Sequence, residues 1–132
     1  MLYYLAVPYT NCPDGPSAAF QDANEICAEL MSAGVNVYSP ITHSHPLVPY
    51  LGEECRFDHS FWMRIDKIMV DKCDGLIVCC LPGWRESKGM KQEIEWFRDS
   101  GKPIKVLCET ALMQWEMMGG ELAPYLEDYE DV

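Results

Sequence analysis

Basic residues are scarce in this chain of 132 residues: ten lysines and arginines stand against twenty-one aspartates and glutamates, for a formal net charge of −11. A nucleic-acid duplex needs a basic face, so it is a poor partner for this chain. Long apolar runs are missing as well. No stretch approaches the roughly 18 apolar residues that cross a bilayer, and the opening MLYYLAVPYT lacks the basic start and apolar stretch of a secretory leader. A soluble, cytoplasmic protein without a membrane partner is predicted. Neither CxxC nor HExxH occurs, so His43, His45, Cys55 and His59 have no recognised ligand spacing and no metal is predicted. No GxGxxG follows the first apolar run, and GxxxxGK[ST] is absent throughout. These gaps disfavour a dinucleotide held in the usual Rossmann manner and the P-loop classes, and leave a cofactor-free site of carboxylates, hydroxyls and backbone. An anion could still bind locally at the free N–H groups of a helix start.

Cysteine is plentiful by contrast, with seven residues. Their number is odd and several fall inside apolar runs, which reads as reduced, buried thiols rather than a disulfide framework. Hydrophobic residues make up 48% of the chain and charged ones 23%. That balance, at this length, predicts one globular domain over residues 1–132, with an acidic tail from about residue 120.

Hydrophobic periodicity predicts an alternating order. LYYLAV (2–7) reads as a strand buried on both faces. Residues 16–34 place Phe20, Ala23, Cys27, Leu30 and Met31 on one helical face, with Asp14 or Ser17 as cap and Gly34 as terminator. A strand follows at 35–40, then a proline-interrupted stretch, 41–60, with a short helix at most. Residues 60–75 return to helical spacing through Phe61, Ile65, Ile68 and Met69, capped by Asp58 or Ser60. LIVCCL (76–81) is a second apolar strand; Met90, Ile94 and Phe97 define a helix ending near Gly101, and PIKVLCE (103–109) is a further strand. The remaining tail has room for one short amphipathic helix, then an acidic end that is either disordered or laid over a neighbouring subunit. This order predicts a three-layer, Rossmann-like (flavodoxin-like) α/β domain with a mainly parallel sheet of four or five strands. Ligands in such sheets bind beyond the strands' carboxyl ends, where PYTNCPDG, THSHP and PGWRESKG converge.

Glu93 lies three residues after Met90 and four before Phe97, at the margin of the buried helical face and near the helix start, so its carboxylate can look into that cleft. Position alone favours a solvated helix glutamate such as Glu95 beside it. Asp66, one residue after Ile65 and two before Ile68, taken alone reads as a surface residue. Taken together, the two form a candidate carboxylate pair for attack at an anomeric carbon and proton handling at a leaving group. Ser87 and Gly89 read first as helix cap and close-packing residue, though the same free N–H groups suit a phosphate or a sugar hydroxyl. Trp62, Trp96 and Trp115 read as core or subunit contact, whereas Trp84 lies in the cleft loop.

An ordered set of motifs then resembles the nucleoside 2-deoxyribosyltransferase superfamily, which includes deoxynucleoside 5'-monophosphate N-glycosidases. YLAVPY puts Tyr4 and Tyr9 on that superfamily's opening motif. Asp66 and, eight residues later, Asp74 match its helix and strand aspartates. Ser87, Gly89, Glu93 and the GKP turn at 101–103 repeat its order of serine, glycine, nucleophilic glutamate and turn. The resemblance spans residues 2 to about 107 and is strongest to a small bacterial and phage branch. It departs in PGWRE, which lengthens the loop before Ser87, and in THSHP, where His45 takes the place of a substrate-loop residue. What it implies is cleavage or transfer of the N-glycosidic bond of a (deoxy)nucleoside or its 5'-monophosphate through a covalent glycosyl-glutamate, or a catalytically silent nucleotide-binding module of the same fold. Glu93 would be the nucleophile, Asp66 would serve the leaving base and Tyr4 would orient Glu93. Tyr9, Thr10, His45, Ser87 and Gly89 would contact substrate, with Asn11 a further phosphate donor. It also implies a homodimer or higher homo-oligomer with the Trp and Met residues near 112–119 at an interface.

Overall fold

The two most apolar runs form the middle of a sheet. In the computed structural model, which describes residues 1–130, they are β1 (Tyr3–Ala6) and β3 (Gly75–Cys79), and every residue of β3 is buried. Helices cover both faces, so neither face of these strands needs polar residues. The strand order is β2-β1-β3-β4-β5, with β2 (Val37–Tyr38) and β4 (Ile104–Leu107) parallel to their neighbours and β5 (Glu127–Asp128) antiparallel to β4. This is a mixed, mostly parallel α/β sheet in flavodoxin-like order, as predicted.

Alternation along the strands divides the core into two layers. Leu5, Val7, Ile77 and Cys79 pack with Ala23, Ile26 and Leu30 of α1 (Pro16–Ser32) and with Leu112 of α6 (Glu109–Met118). Tyr4, Ala6, Leu76 and Val78 pack on the other side with Val70 of α4 (His59–Lys72) and with Met90, Ile94 and Phe97 of α5 (Lys88–Asp99). Phe97 is fully buried, which contributes about 2–3 kcal/mol.

Several local expectations are corrected. Neither Asp14 nor Ser17 caps α1; Gly15 holds the cap position at φ 94° with no side-chain bond, and Pro16 opens the helix, where its missing N–H costs nothing. Met31 is 59% exposed and Ile68 is 54% exposed. In α1 the buried face runs through Ala19, Ala23, Ile26, Cys27 and Leu30. On α4 Val70 is the buried position and Asp66, one turn earlier, is half-buried, while Ile68 turns outward. The second strand shrinks to two residues because Ser39 caps a new helix, accepting a bond from Thr42 N–H at 3.2 Å. The stretch 41–60 is accordingly more helical than its prolines suggest, with α2 (Pro40–Ser44), a 3₁₀ turn (His45–Tyr50) and α3 (Glu53–Arg56).

The acidic tail, through residue 130, folds back on the chain's own core and edge strand. Leu122 is fully buried in the α1/α6 layer. β5 then pairs with the edge strand, and Asp128 accepts a charged hydrogen bond from Lys105. Asp131 and Val132 lie outside the described residues.

One glycine fixes the loops above the sheet. Gly83 has φ 94°, and a Cβ there would lie 2.1 Å from the Asn11 carbonyl oxygen. The loops after β1 and β3 therefore touch backbone to backbone at the strands' carboxyl ends.

Leu122→Ala is expected to cost about 3 kcal/mol, the usual range for deleting a buried leucine, and to lower the urea midpoint accordingly. An unchanged midpoint would mean that the segment after α6 adds nothing to this core.

Candidate functional site

Two of the residues singled out by sequence meet directly. Tyr4 is the second residue of β1 and fully buried; Glu93 is in the second turn of α5 and only 6% exposed. The Tyr4 hydroxyl donates a short hydrogen bond to Glu93 Oε2. Local sequence dictates how Glu93 turns inward. Ser87 caps α5, its Oγ accepting from Met90 N–H at 3.2 Å, and from that start Met90, Glu93, Ile94 and Phe97 fall on one helical stripe. The Phe97 ring lies 5.9 Å from that of Tyr4 and closes the apolar surround.

Burial dominates the electrostatics. It pushes the Glu93 carboxyl up to about 8; the Tyr4 hydrogen bond pulls the other way, and the nearby Asp66 charge adds to the rise. At neutral pH the group is mostly protonated. Burial likewise raises Asp66, to about 6. Tyr4 is held well above its ordinary value by burial and then by the charges of Glu93 and Asp66. Asp66 therefore belongs to the same electrostatic cluster, and its carboxyl has no hydrogen-bond partner among the described residues. Both carboxyls are thus shifted toward neutral pH, Asp66 by its burial and Glu93 chiefly by burial with a smaller part from the Asp66 charge, which is the range a group that exchanges a proton needs.

The other predicted residues separate into groups. Ser87 is 7% exposed and its hydroxyl is engaged as the helix cap. Gly89, one turn before Glu93, has ordinary helical backbone, and a Cβ there would meet only Met63 Cε, at 3.6 Å, and Ser87 Oγ, at 3.9 Å. Packing on this side of the helix thus does not demand a glycine. Tyr9 and His45 join each other rather than Glu93. The Tyr9 hydroxyl and His45 Nδ1 are hydrogen-bonded at 2.7 Å, and the His45 ring stacks at 4.5 Å on Phe20 of α1, against the opposite helix layer. Thr10 is exposed beside the Asn11–Gly83 contact. Trp84 is half-buried, and its Nε1–H donates to Glu109 at 3.2 Å, which ties the lengthened loop to α6.

Two surface clefts, of about 430 and 260 Å³, contain neither Tyr4, Asp66 nor Glu93. One follows the outer face of α5, past Lys91 and Arg98. The other lies between the start of α1 and the residues after β3. Among the described residues no group of three or more His, Cys, Asp or Glu side chains is placed to hold a metal ion. All seven cysteines are free, and no described helix is long and apolar enough to cross a membrane.

Sequence reasoning missed Tyr38. It stands opposite Tyr4 in the parallel register, with ring centroids 6.0 Å apart, and its hydroxyl is raised by burial, by the Asp66 charge and by Cys73. The one available signal was its position at the end of the second strand.

Glu93 also affects stability, with a sign opposite to that of a salt-bridged carboxylate. Its folded value, about 8, lies above the ordinary 4.5, so the folded state binds the extra proton between these values. Stability is then full below about 4.5 and falls as pH rises toward 8. Asp66 acts in the same direction between 3.8 and about 6. Glu93→Gln should flatten this decline and raise the thermal midpoint at pH 8.5 relative to the unaltered protein. Equal midpoints for the two proteins across pH 5–9 would mean that the carboxyl is not held protonated by burial.

No curated protein matches the chain. The profile of a domain of unknown function, DUF1937, matches residues 2–109, and the chain belongs to that family.

Proposed function

We propose that this protein cleaves or transfers the N-glycosidic bond of a 2-deoxynucleoside or its 5'-monophosphate. The observation that carries this reading is the buried Glu93 carboxyl, held by the Tyr4 hydroxyl and lying within the field of a second carboxyl, Asp66. It joins the resemblance of the YLAVPY, Asp66/Asp74 and Ser87–Glu93–GKP motifs to the nucleoside 2-deoxyribosyltransferase superfamily.

In this reading the ionised Glu93 attacks C1' of the sugar. The bond from C1' to Glu93 oxygen forms as the C1'–N bond breaks, and the bond pair leaves on the base nitrogen, which takes the Asp66 proton. Water next attacks C1', its proton passing to the Asp66 carboxylate, and the ester bond breaks to return the Glu93 carboxylate. A second base in place of water gives transfer instead of hydrolysis. Splitting one displacement into two lowers each barrier, and the sugar keeps its configuration. Ser87, Gly89, Thr10 and Asn11 are the local donors for a 5'-phosphate, while Tyr9 and His45, which are hydrogen-bonded to each other, are the further candidates for contact with substrate. No cofactor takes part. The exposed methionines of α6, Met113, Met117 and Met118, suit a contact between copies of the chain in a homo-oligomer.

A second reading draws on the same burial. A glutamic acid that is mostly uncharged at neutral pH is a good hydrogen-bond donor and a poor nucleophile, which suits a silent nucleotide-binding module.

Chromatography of free base, released from a panel of common deoxynucleosides and deoxynucleotides, separates the two. Release is expected from the unaltered protein, with complete loss in Glu93→Ala and a fall of about 100- to 10,000-fold in Asp66→Asn. Calorimetric binding without any release, unchanged in Glu93→Gln, would favour the silent module. The rate should follow a bell with limbs near 6 and 8, the values of the carboxyl pair, because the reactive form has Glu93 ionised and Asp66 protonated. A rate that rises steadily to pH 10 would rule Asp66 out as the acid.

A further inference from the structure

Basic side chains gather at one place on this acidic molecule. The whole chain has ten lysines and arginines against twenty-one acidic residues. The cleft of about 430 Å³ along the outer face of α5 is nevertheless lined by three basic side chains, Arg85, Lys91 and Arg98, and only two acidic ones, Glu95 and Asp99. The local balance is thus reversed. Salt screens exposed charges beyond about 8 Å, so a ligand in the cleft meets this local sign rather than that of the whole protein.

The walls come from three segments far apart in sequence. α5 supplies Lys91 and Ile94, the loop after β3 supplies Trp84 and Arg85, and Tyr129 follows β5, where its N–H donates to the Ile104 carbonyl at 2.9 Å. Ile94 is 7% exposed, and Trp84 and Tyr129, both half-buried, pack against the same buried cluster. The basic side chains are exposed around this apolar base. A few charged groups set round aromatic walls, in a volume of this size, are the usual make-up of a small-molecule site.

The Arg85 guanidinium lies 4.6 Å from the centre of the Trp84 ring. A guanidinium placed in this way offers a plane for stacking and N–H donors for a phosphate or carboxylate. Trp84 is itself held, since its Nε1–H donates to Glu109 at 3.2 Å. Among the described residues neither Arg85 nor Lys91 is in an ion pair, which leaves both charges for a ligand.

We propose that this cleft is a second ligand site that takes a small aromatic anion of the mononucleotide kind, its flat ring lying on Tyr129 and the Arg85–Trp84 stack and its phosphate held by Lys91 and Arg85. Glu93 belongs to the same helix but is not in the cleft. The proposal therefore does not depend on the glycosidic reading.

Adenosine 5'-monophosphate is the probe, titrated into the full chain while NMR follows the indole N–H resonance of Trp84, identified by its loss in Trp84→Phe. The resonance is expected to shift and saturate with a Kd of about 1 mM or below. Adenosine alone and inorganic phosphate alone should each bind about tenfold or more weakly. The exposed substitutions Arg85→Ala and Lys91→Ala should each weaken nucleotide binding about tenfold, with the thermal midpoint within about 2 °C of the unaltered protein. Glu93→Gln should leave the Trp84 response as it is. A Trp84 resonance unmoved at about 10 mM nucleotide overturns the proposal. So does a response that survives both charge substitutions or disappears in Glu93→Gln, since the nucleotide is then bound elsewhere. Phosphate that binds as tightly as the nucleotide also overturns it, because the rings then contribute nothing.

Discussion

A carboxyl group taken out of water against a sheet sets the conditions for everything around it. Left unpaired, buried Glu93 would cost several kcal/mol. Two features make the burial tolerable: the Tyr4 hydroxyl supplies a hydrogen bond, and retention of the proton to about 8 removes most of the charge at neutral pH. The partners then have to be held in place. Tyr4 is fixed because β1 lies between β2 and β3 in the middle of the sheet, and Glu93 because Ser87 sets where α5 begins. Phe97, one turn after Glu93, packs on the Tyr4 ring and keeps water from the pair. A residue change that shifted α5 by one position would replace Glu93 with Gln92 or Ile94 at this point.

The remaining architecture brings loops to the same end of the sheet. Gly83 lets the loop after β3 press on the loop after β1, and Trp84 fastens it to the start of α6. The sheet edge beyond β4 is covered by the chain's own tail, with Leu122 as the apolar anchor and β5 as the pairing strand. This protects an otherwise open edge from pairing with other chains. The outer surface of α6 keeps its methionines exposed, Met117 at 81%. Burial of the tail and exposure of α6 are separate features of one segment.

Much of this was legible in the residues. The alternation of apolar runs with helical stripes gave the α/β class and every long element, because strands buried on both faces leave no polar positions and helices on a sheet need one apolar stripe. The 41–60 stretch was harder. Its prolines argue against a regular helix, yet Ser39 as a cap and prolines at first-turn positions allow short helical pieces. Asp66 was ambiguous for a different reason: nothing local says whether a half-buried position beside Ile65 looks toward the site or toward solvent. The choice depends on what lies opposite. Gly15 stands where a polar cap was expected for α1, and Pro16 at the first helical position removes one of the four free N–H groups of the helix start.

The sequence by itself determined which long segments would be strands and helices, that Glu93 would sit near a helix start at the margin of a buried face, and that no familiar nucleotide or metal motif was present. Only the tertiary structure decided that Tyr4 meets Glu93, that Asp66 enters the same field, that Tyr9 and His45 pair with each other against α1, and that Tyr38 completes the cluster. The physical reason is register. Periodicity along a chain says which face a side chain takes, but the strand opposite and the rotation of the helix above it are fixed by packing between segments far apart in sequence: 34 positions separate Tyr4 from Tyr38 and 89 separate Tyr4 from Glu93.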